Sequence, residues 1–189
     1  MQQDVRVAAT YRLKITLKGV RPPVWRRLLV PAGYTLDRVH EVFLTGMGWS
    51  GYHLYAFRVG RTTYMEIDED WPDDSVDPGS VRLGDVVGVG DRFVYEYDFG
   101  DGWEHQVVVE ESLPAAGRPR PVCLGGRRAC PPEDVGGPWG YAEFLAAIDD
   151  PRHERHDELL DWIGGGFDPE AFDLAEVDEA LAALADPPP

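Results

Sequence analysis

The residues with most chemistry to offer lie in FVYEYDFGDGWEHQVVVEE, residues 93–111, where carboxylates, an imidazole and aromatic rings share one short run. Asp98, Asp101 and Glu104 supply carboxylates and His105 an imidazole, groups suited to proton transfer or to metal ligation. Cys123 and Cys130 add two thiols further along. Thiolate and imidazole favour a transition metal such as zinc, so Cys123, Cys130 and His105 form one candidate ligand set. Asp98, Asp101, His53 and His40 extend it. Two thiols alone cannot close a tetrahedral zinc site. The competing structural reading makes His105 a hydrogen-bonded core histidine and the cysteines small buried side chains. Asp98 and Glu104 could do acid–base work if burial split their pKa values. An arginine neighbour, Arg127 or Arg128, would equally explain two like charges side by side.

These groups need a scaffold, and the alternation supplies one. Phe93, Tyr95, Tyr97 and Phe99, then Trp103, His105, Val107 and Val109, keep the two-residue period of half-buried strands. A three-residue loop, Gly100-Asp101-Gly102, makes the apolar faces coincide, with Gly102 taking the left-handed position. The predicted register pairs Phe99 with Trp103, Tyr97 with His105, Tyr95 with Val107 and Phe93 with Val109. It sets His105 on an aromatic wall and Asp98 opposite Glu104 on the other face.

Around this hairpin the chain reads as strand, strand, helix, strand, strand. Tyr11, Leu13, Ile15 and Leu17 alternate with Arg12, Lys14, Thr16 and Lys18, and VWRRLLVP makes a second strand between prolines. Thr35 can cap a helix carrying Leu36, Val39, His40, Phe43 and Met47 on one stripe. A strand over His53–Val59 follows, then TTYMEI. Residues 68–80 form an acidic loop without the spacing of a calcium-binding EF-hand. Residues 113–140 show no hydrophobic period and read as one long loop. The part from 138 to 186 is helical, with Asp173 and Glu176 a capping pair for the last helix. The expectation is a single α+β domain over 1–189 with a largely antiparallel sheet, its hairpin–helix–strand start like a β-grasp.

Composition bounds the partners. The net charge is −16, yet residues 1–62 hold ten Lys and Arg against three Asp and Glu. Either the basic third is neutralised by the acidic remainder, or it stays exposed as a nucleic-acid surface of Arg12, Lys14, Lys18, Arg21, Arg26 and Arg27. No apolar run reaches the ~20 residues of a membrane span and no signal sequence is evident, so a cytoplasmic protein without membrane contact is expected.

PPVWRR at 22–27, MGW at 47–49, HLYAF at 53–57, YDFGDGWEH at 97–105 and CLGGRRACPPEDVGG at 123–137 together resemble the plasmid Ri ORF-three-like proteins, TnpR-type passengers of insertion elements. The resemblance covers roughly residues 10–180. It implies an α+β domain carried on plasmid or mobile-element DNA, with no defined activity. Tyr55 stands where the family commonly has a second histidine. The motifs mark Arg26, Trp49, His53, Asp98, Asp101, Trp103, His105, Glu133 and Asp134 as candidate binding positions. A resolvase would need a serine or tyrosine nucleophile ringed by arginines. Ser50, Ser75, Ser80 and Ser112 lie in glycine-rich or acidic contexts, so no catalytic residue is assigned. The expected function is a non-catalytic binding module for a protein partner, a basic one being the match to its acidic face. A metal-binding protein or metal-dependent hydrolase, and a nucleic-acid accessory protein, are the alternatives.

Overall fold

The computed structural model describes residues 9–67, 74–115 and 119–184. The strands are β1 Ala9–Leu17, β2 Trp25–Pro31, β3 Tyr55–Val59, β4 Thr62–Tyr64, β5 Arg92–Tyr97, β6 Trp103–Pro114 and β7 Val122–Arg127. The helices are α1 Leu36–Met47, α2 Leu83–Val86, α3 Gly137–Asp149, α4 His156–Ile163 and α5 Leu174–Ala183. The strands form one sheet in the order β4-β3-β5-β6-β1-β2-β7, every pair antiparallel. The α+β class and the antiparallel sheet are therefore as the alternation implies. The hairpin–helix–strand start is also present, but its packing is not that of a β-grasp. β3 leaves β1 to pair with β4 and β5, and β5 and β6 lie between them.

One face of the sheet builds the core. Leu13, Ile15, Leu28, Phe57, Tyr95, Val107 and Val109 are fully buried there, and α1 lays Leu36, Val39, Val42 and Phe43 onto them. α1 owes its fit to apolar spacing of three and four residues. Gly48 ends it in a left-handed conformation, φ 101°, with its N–H returning to the Leu44 carbonyl. Thr35 occupies the N-cap position, but its hydroxyl bonds Asp37 instead of the helix backbone. Asp173 does cap α5, accepting from the N–H groups of Ala175 (2.8 Å) and Glu176 (3.1 Å). Replacing Asp173 with Ala should cost about 1 kcal/mol of stability, read as a lower urea midpoint. An unchanged midpoint would show that the packing of Leu181 and the Asp178 contacts with Arg120 and the Cys123 N–H hold this helix without the cap.

The other face explains the lopsided charge. Arg12 contacts Glu110 (3.2 Å) and Glu111 (2.7 Å), Arg27 contacts Glu110 (2.7 Å), and Lys18 pairs with Glu104. Lys14 and Arg27 lie over the Trp25 ring, 5.5 and 5.4 Å from its centre. Basic β1 is thus laid beside acidic β6, and Arg27 of β2 reaches Glu110 of β6 across β1, so the two signs neutralise on this face. Arg26 points the opposite way and is buried, its guanidinium donating to the carbonyls of Gly46, Trp25 and Arg127 and stacking 4.6 Å from Phe172.

Several local expectations are corrected. The β5–β6 turn spans five residues, not three: Tyr97 faces Trp103, Tyr95 faces His105, and Phe93 faces Val107. Phe99 leaves the ladder and is exposed, because Asp98 turns left-handed (φ 55°) and the strand ends at Tyr97, two residues before Phe99. The facing carboxylates are consequently Glu96 and Glu104, not Asp98 and Glu104. Arg58 from β3, rather than Arg127 or Arg128, bridges both of them. Residues 113–140 are not a continuous loop, since β7 adds the sheet's last strand there beside β2. The strand expected from His53 starts at Tyr55, leaving His53 in the preceding loop. Of the acidic segment 68–80, residues 68–73 lie outside the described residues. Among the described residues no helix is long and apolar enough to cross a membrane.

Candidate functional site

At one end of the sheet three loops meet: 48–54 after α1, 98–102 between β5 and β6, and 130–136 before α3. Trp49 starts the junction. Its ring is 7% exposed, lies 5.1 Å from Tyr97, 5.9 Å from Trp103 and 5.3 Å from His105, and its indole N–H donates to the Pro131 carbonyl at 2.9 Å. The Ser50 N–H then donates to Glu133 Oε1 at 2.7 Å, and the Tyr97 hydroxyl donates to both oxygens of Glu133 at 3.2 Å. Burial, then the charge of Glu133, push the Tyr97 phenol up to about 12, so it remains a donor.

The hairpin loop is tied to the third loop by backbone contact. The Gly136 N–H donates to Asp101 Oδ2 at 3.1 Å. A Cβ on Gly137, whose φ is 69°, would come 2.3 Å from the Asp101 carbonyl oxygen, so only glycine lets the chains approach this closely. Asp98 Oδ1 accepts from the N–H groups of Gly100 (3.0 Å) and Asp101 (3.3 Å). Its second oxygen is left facing His53.

His53 is the centre of the junction. Its Nε2 stands 3.2 Å from Asp134 Oδ1, 3.6 Å from Asp98 Oδ2 and 3.7 Å from Glu133 Oε2. This nitrogen is sealed from solvent and makes no hydrogen bond. Asp98 and Asp134 both hold left-handed backbone, φ 55° and 57°, a conformation aspartate tolerates but seldom adopts. His53, Asp98 and Asp134 each aim one ligand atom into a space where those atoms lie within 4.8 Å of one another. Beside His53 opens a cavity of about 610 Å³ lined by His40, Leu54, Tyr55, Met65, Glu66 and Ile67.

The motif residues therefore divide. His53, Asp98, Glu133 and Asp134 converge, with Asp101 and Trp49 holding their loops. Trp103 and His105 are core, 1% and 0% exposed. The His105 Nδ1–H donates to the Tyr95 carbonyl at 3.2 Å, and burial lowers its pKa to about 4. His40 is also lowered to about 4 by burial. It stacks 3.5 Å from the Tyr55 ring and hydrogen-bonds the Tyr95 hydroxyl at 2.8 Å. Cys123 and Cys130 are thiols whose pKa values burial pushes up, with buried Arg26 the nearby cation. Among the described residues neither cysteine, nor His105, shares a cluster of potential ligands, so the thiolate–imidazole set is not assembled. Tyr55 faces His40 and the cavity and leaves the His53 cluster intact. Sequence reasoning missed Ser50 and Tyr97 as the groups that orient Glu133. Only contacts across the fold reveal them.

The plasmid pRiA4b ORF-3-like protein family matches residues 9–176, nearly the whole described chain. The chain belongs to that family. It is 46% identical over 182 residues to an uncharacterized protein, y4hQ, of Sinorhizobium fredii (strain NBRC 101917 / NGR234), covering 95% of this chain and 94% of the other. Its fold matches the crystal structure of a protein of unknown function, MM3350, from Methanosarcina mazei Go1. The TM-score there is 0.82 at 36% identity, covering 89% of this chain and 97% of that one.

Proposed function

We propose that this pRiA4b ORF-3-like protein is a non-catalytic binding module whose contact surface is the three-loop end of the sheet, facing a basic protein partner. The convergence of Asp98, Glu133 and Asp134 around His53, from segments far apart in sequence, carries this reading. Large apolar side chains stand exposed in or next to these segments: Tyr52 (85%) beside His53, Phe99 (41%) beside Asp98, and Trp139 (89%) in the first turn of α3, two residues beyond Gly137. Exposed rings next to carboxylates suit a lysine or arginine side chain, whose charge meets the acids and whose stem covers the rings. The nucleic-acid alternative draws less support, because Arg12, Lys18 and Arg27 are tied to carboxylates and Arg26 is buried.

Titration calorimetry with a lysine-rich peptide tests it. The expected result is binding that the D98N/E133Q/D134N variant weakens about tenfold or more, equivalent to roughly 1.4 kcal/mol, with its melting temperature checked alongside. Equal binding by a folded variant overturns the reading. So does tight, steeply salt-dependent binding of duplex DNA by the native chain.

A further inference from the structure

Resting on that reading of the loop end, we infer that His53, Asp98 and Asp134, assisted by Glu133, form a binding site for a divalent first-row transition-metal ion.

Distances come first. Ligand atoms held about 2.1 Å from one ion stand roughly 3.0–3.4 Å apart at octahedral to tetrahedral angles. The His53 nitrogen is 3.2, 3.6 and 3.7 Å from its three carboxylate oxygens, close to what a single ion between them requires. The sealed imidazole nitrogen among these three carboxylates makes no hydrogen bond within the protein, an exception among buried polar groups.

Support of the ligands comes second. Asp98 is 6% exposed, and two backbone N–H groups fix its first oxygen while the second faces His53. Glu133 is held by the Ser50 N–H and the Tyr97 hydroxyl. Such outer contacts orient ligands before the ion arrives. Asp134 closes the set from the solvent side, its side chain 71% exposed, and offers the entry path. One imidazole with two or three carboxylates is a mixed nitrogen and oxygen set. It suits Mn²⁺, Fe²⁺, Co²⁺ or Zn²⁺ better than Ca²⁺ or Mg²⁺, which favour oxygen alone. Without an ion the three carboxylates repel one another, and a 2+ charge among them offsets most of that repulsion.

Metal-stripped protein titrated with MnCl₂ and ZnCl₂ by calorimetry, with native mass spectrometry for stoichiometry, provides the test. One ion per chain is expected, with H53A and D98N each weakening affinity about 100-fold and C123S/C130S leaving it unchanged. Co²⁺ loading should give d–d absorption without a thiolate charge-transfer band. A wild-type chain that binds no Mn²⁺ or Zn²⁺, an H53A variant that binds like wild type, or loss of binding in C123S/C130S would each overturn the site. The lysine-rich peptide separates the two proposals. Peptide binding without metal binding leaves the contact surface standing with a cationic side chain at its centre, and failure of both removes the surface as well.

Discussion

Acidification from pH 7 to pH 4.5 is expected to remove about 2–3 kcal/mol of stability for each of two buried histidines, His40 and His105. Burial lowers both to about 4, well below the ordinary 6.5. In this interval the unfolded chain binds protons that the folded chain refuses. The stabilising contribution is therefore complete above about 6.5 and is lost progressively as the pH falls towards 4. The physical cause is plain in the packing. His105 is 0% exposed between Tyr95 and Trp49, and His40 is stacked on Tyr55, so neither ring can be charged without losing solvation. A second loss belongs to a lower window. Lys18 holds Glu104, and Arg27 holds Glu110, below the usual carboxylate value of 4.5, so their stabilisation persists above that value and fades beneath it. Urea unfolding at intervals from pH 7.5 to 4, on the native chain and on H105Q, separates these effects. The variant should start less stable and show a shallower fall between pH 6.5 and 4. A native unfolding free energy that stays flat over that range would refute the assignment of both rings as buried and neutral.

How far the sequence led is clearest at the hairpin. The two-residue period of Tyr95, Tyr97, Trp103, His105 and Val107 correctly places these side chains on the core face, and His105 against rings. It cannot count the turn. Periodicity is unchanged by shifting the pairing two residues, so Phe99 could be added to the strand without any visible fault. The left-handed Asp98 that ends the strand is a backbone event, not a pattern. β7 was hidden for a related reason. VCLGGR has two glycines and a bulged pairing with β2 between Arg27 and Leu28, so it lacks the alternation that marks a strand. The site divides in the same way. His53, Asp98, Glu133 and Asp134 were each identifiable as motif residues, but their meeting depends on three loops that no local rule connects. Cys123, Cys130 and His105 have the right chemistry for metal, yet among the described residues none of them shares a cluster of three or more ligand atoms. The charge asymmetry, by contrast, resolves as complementarity: basic β1 lies beside acidic β6, and Arg27 of β2 reaches Glu110 of β6 across it.

Replacing Trp49 with alanine should destabilise the fold by about 3–5 kcal/mol, a drop in melting temperature on the order of 10 °C for a chain of this size. Its indole fills the space between Tyr97, Trp103 and His105, and a truncated side chain leaves a cavity that three rigid rings cannot close. The loss also reaches the site. Trp49 donates to the Pro131 carbonyl, and the next residue, Ser50, donates to Glu133, so the tryptophan fixes both the loop that carries Glu133 and Asp134 and the donor that orients Glu133. Trp49→Phe separates the two roles. Phenylalanine keeps most of the ring packing but has no N–H, so it should cost about 1–2 kcal/mol and still loosen the 130–136 loop. Amide hydrogen exchange of residues 132–136 reads that loosening directly. In W49F their protection should fall while the β5 and β6 amides stay protected. Exchange unchanged at 132–136, with stability reduced, would confine Trp49 to the core and leave the acidic loop positioned by Glu133 and Asp101 alone.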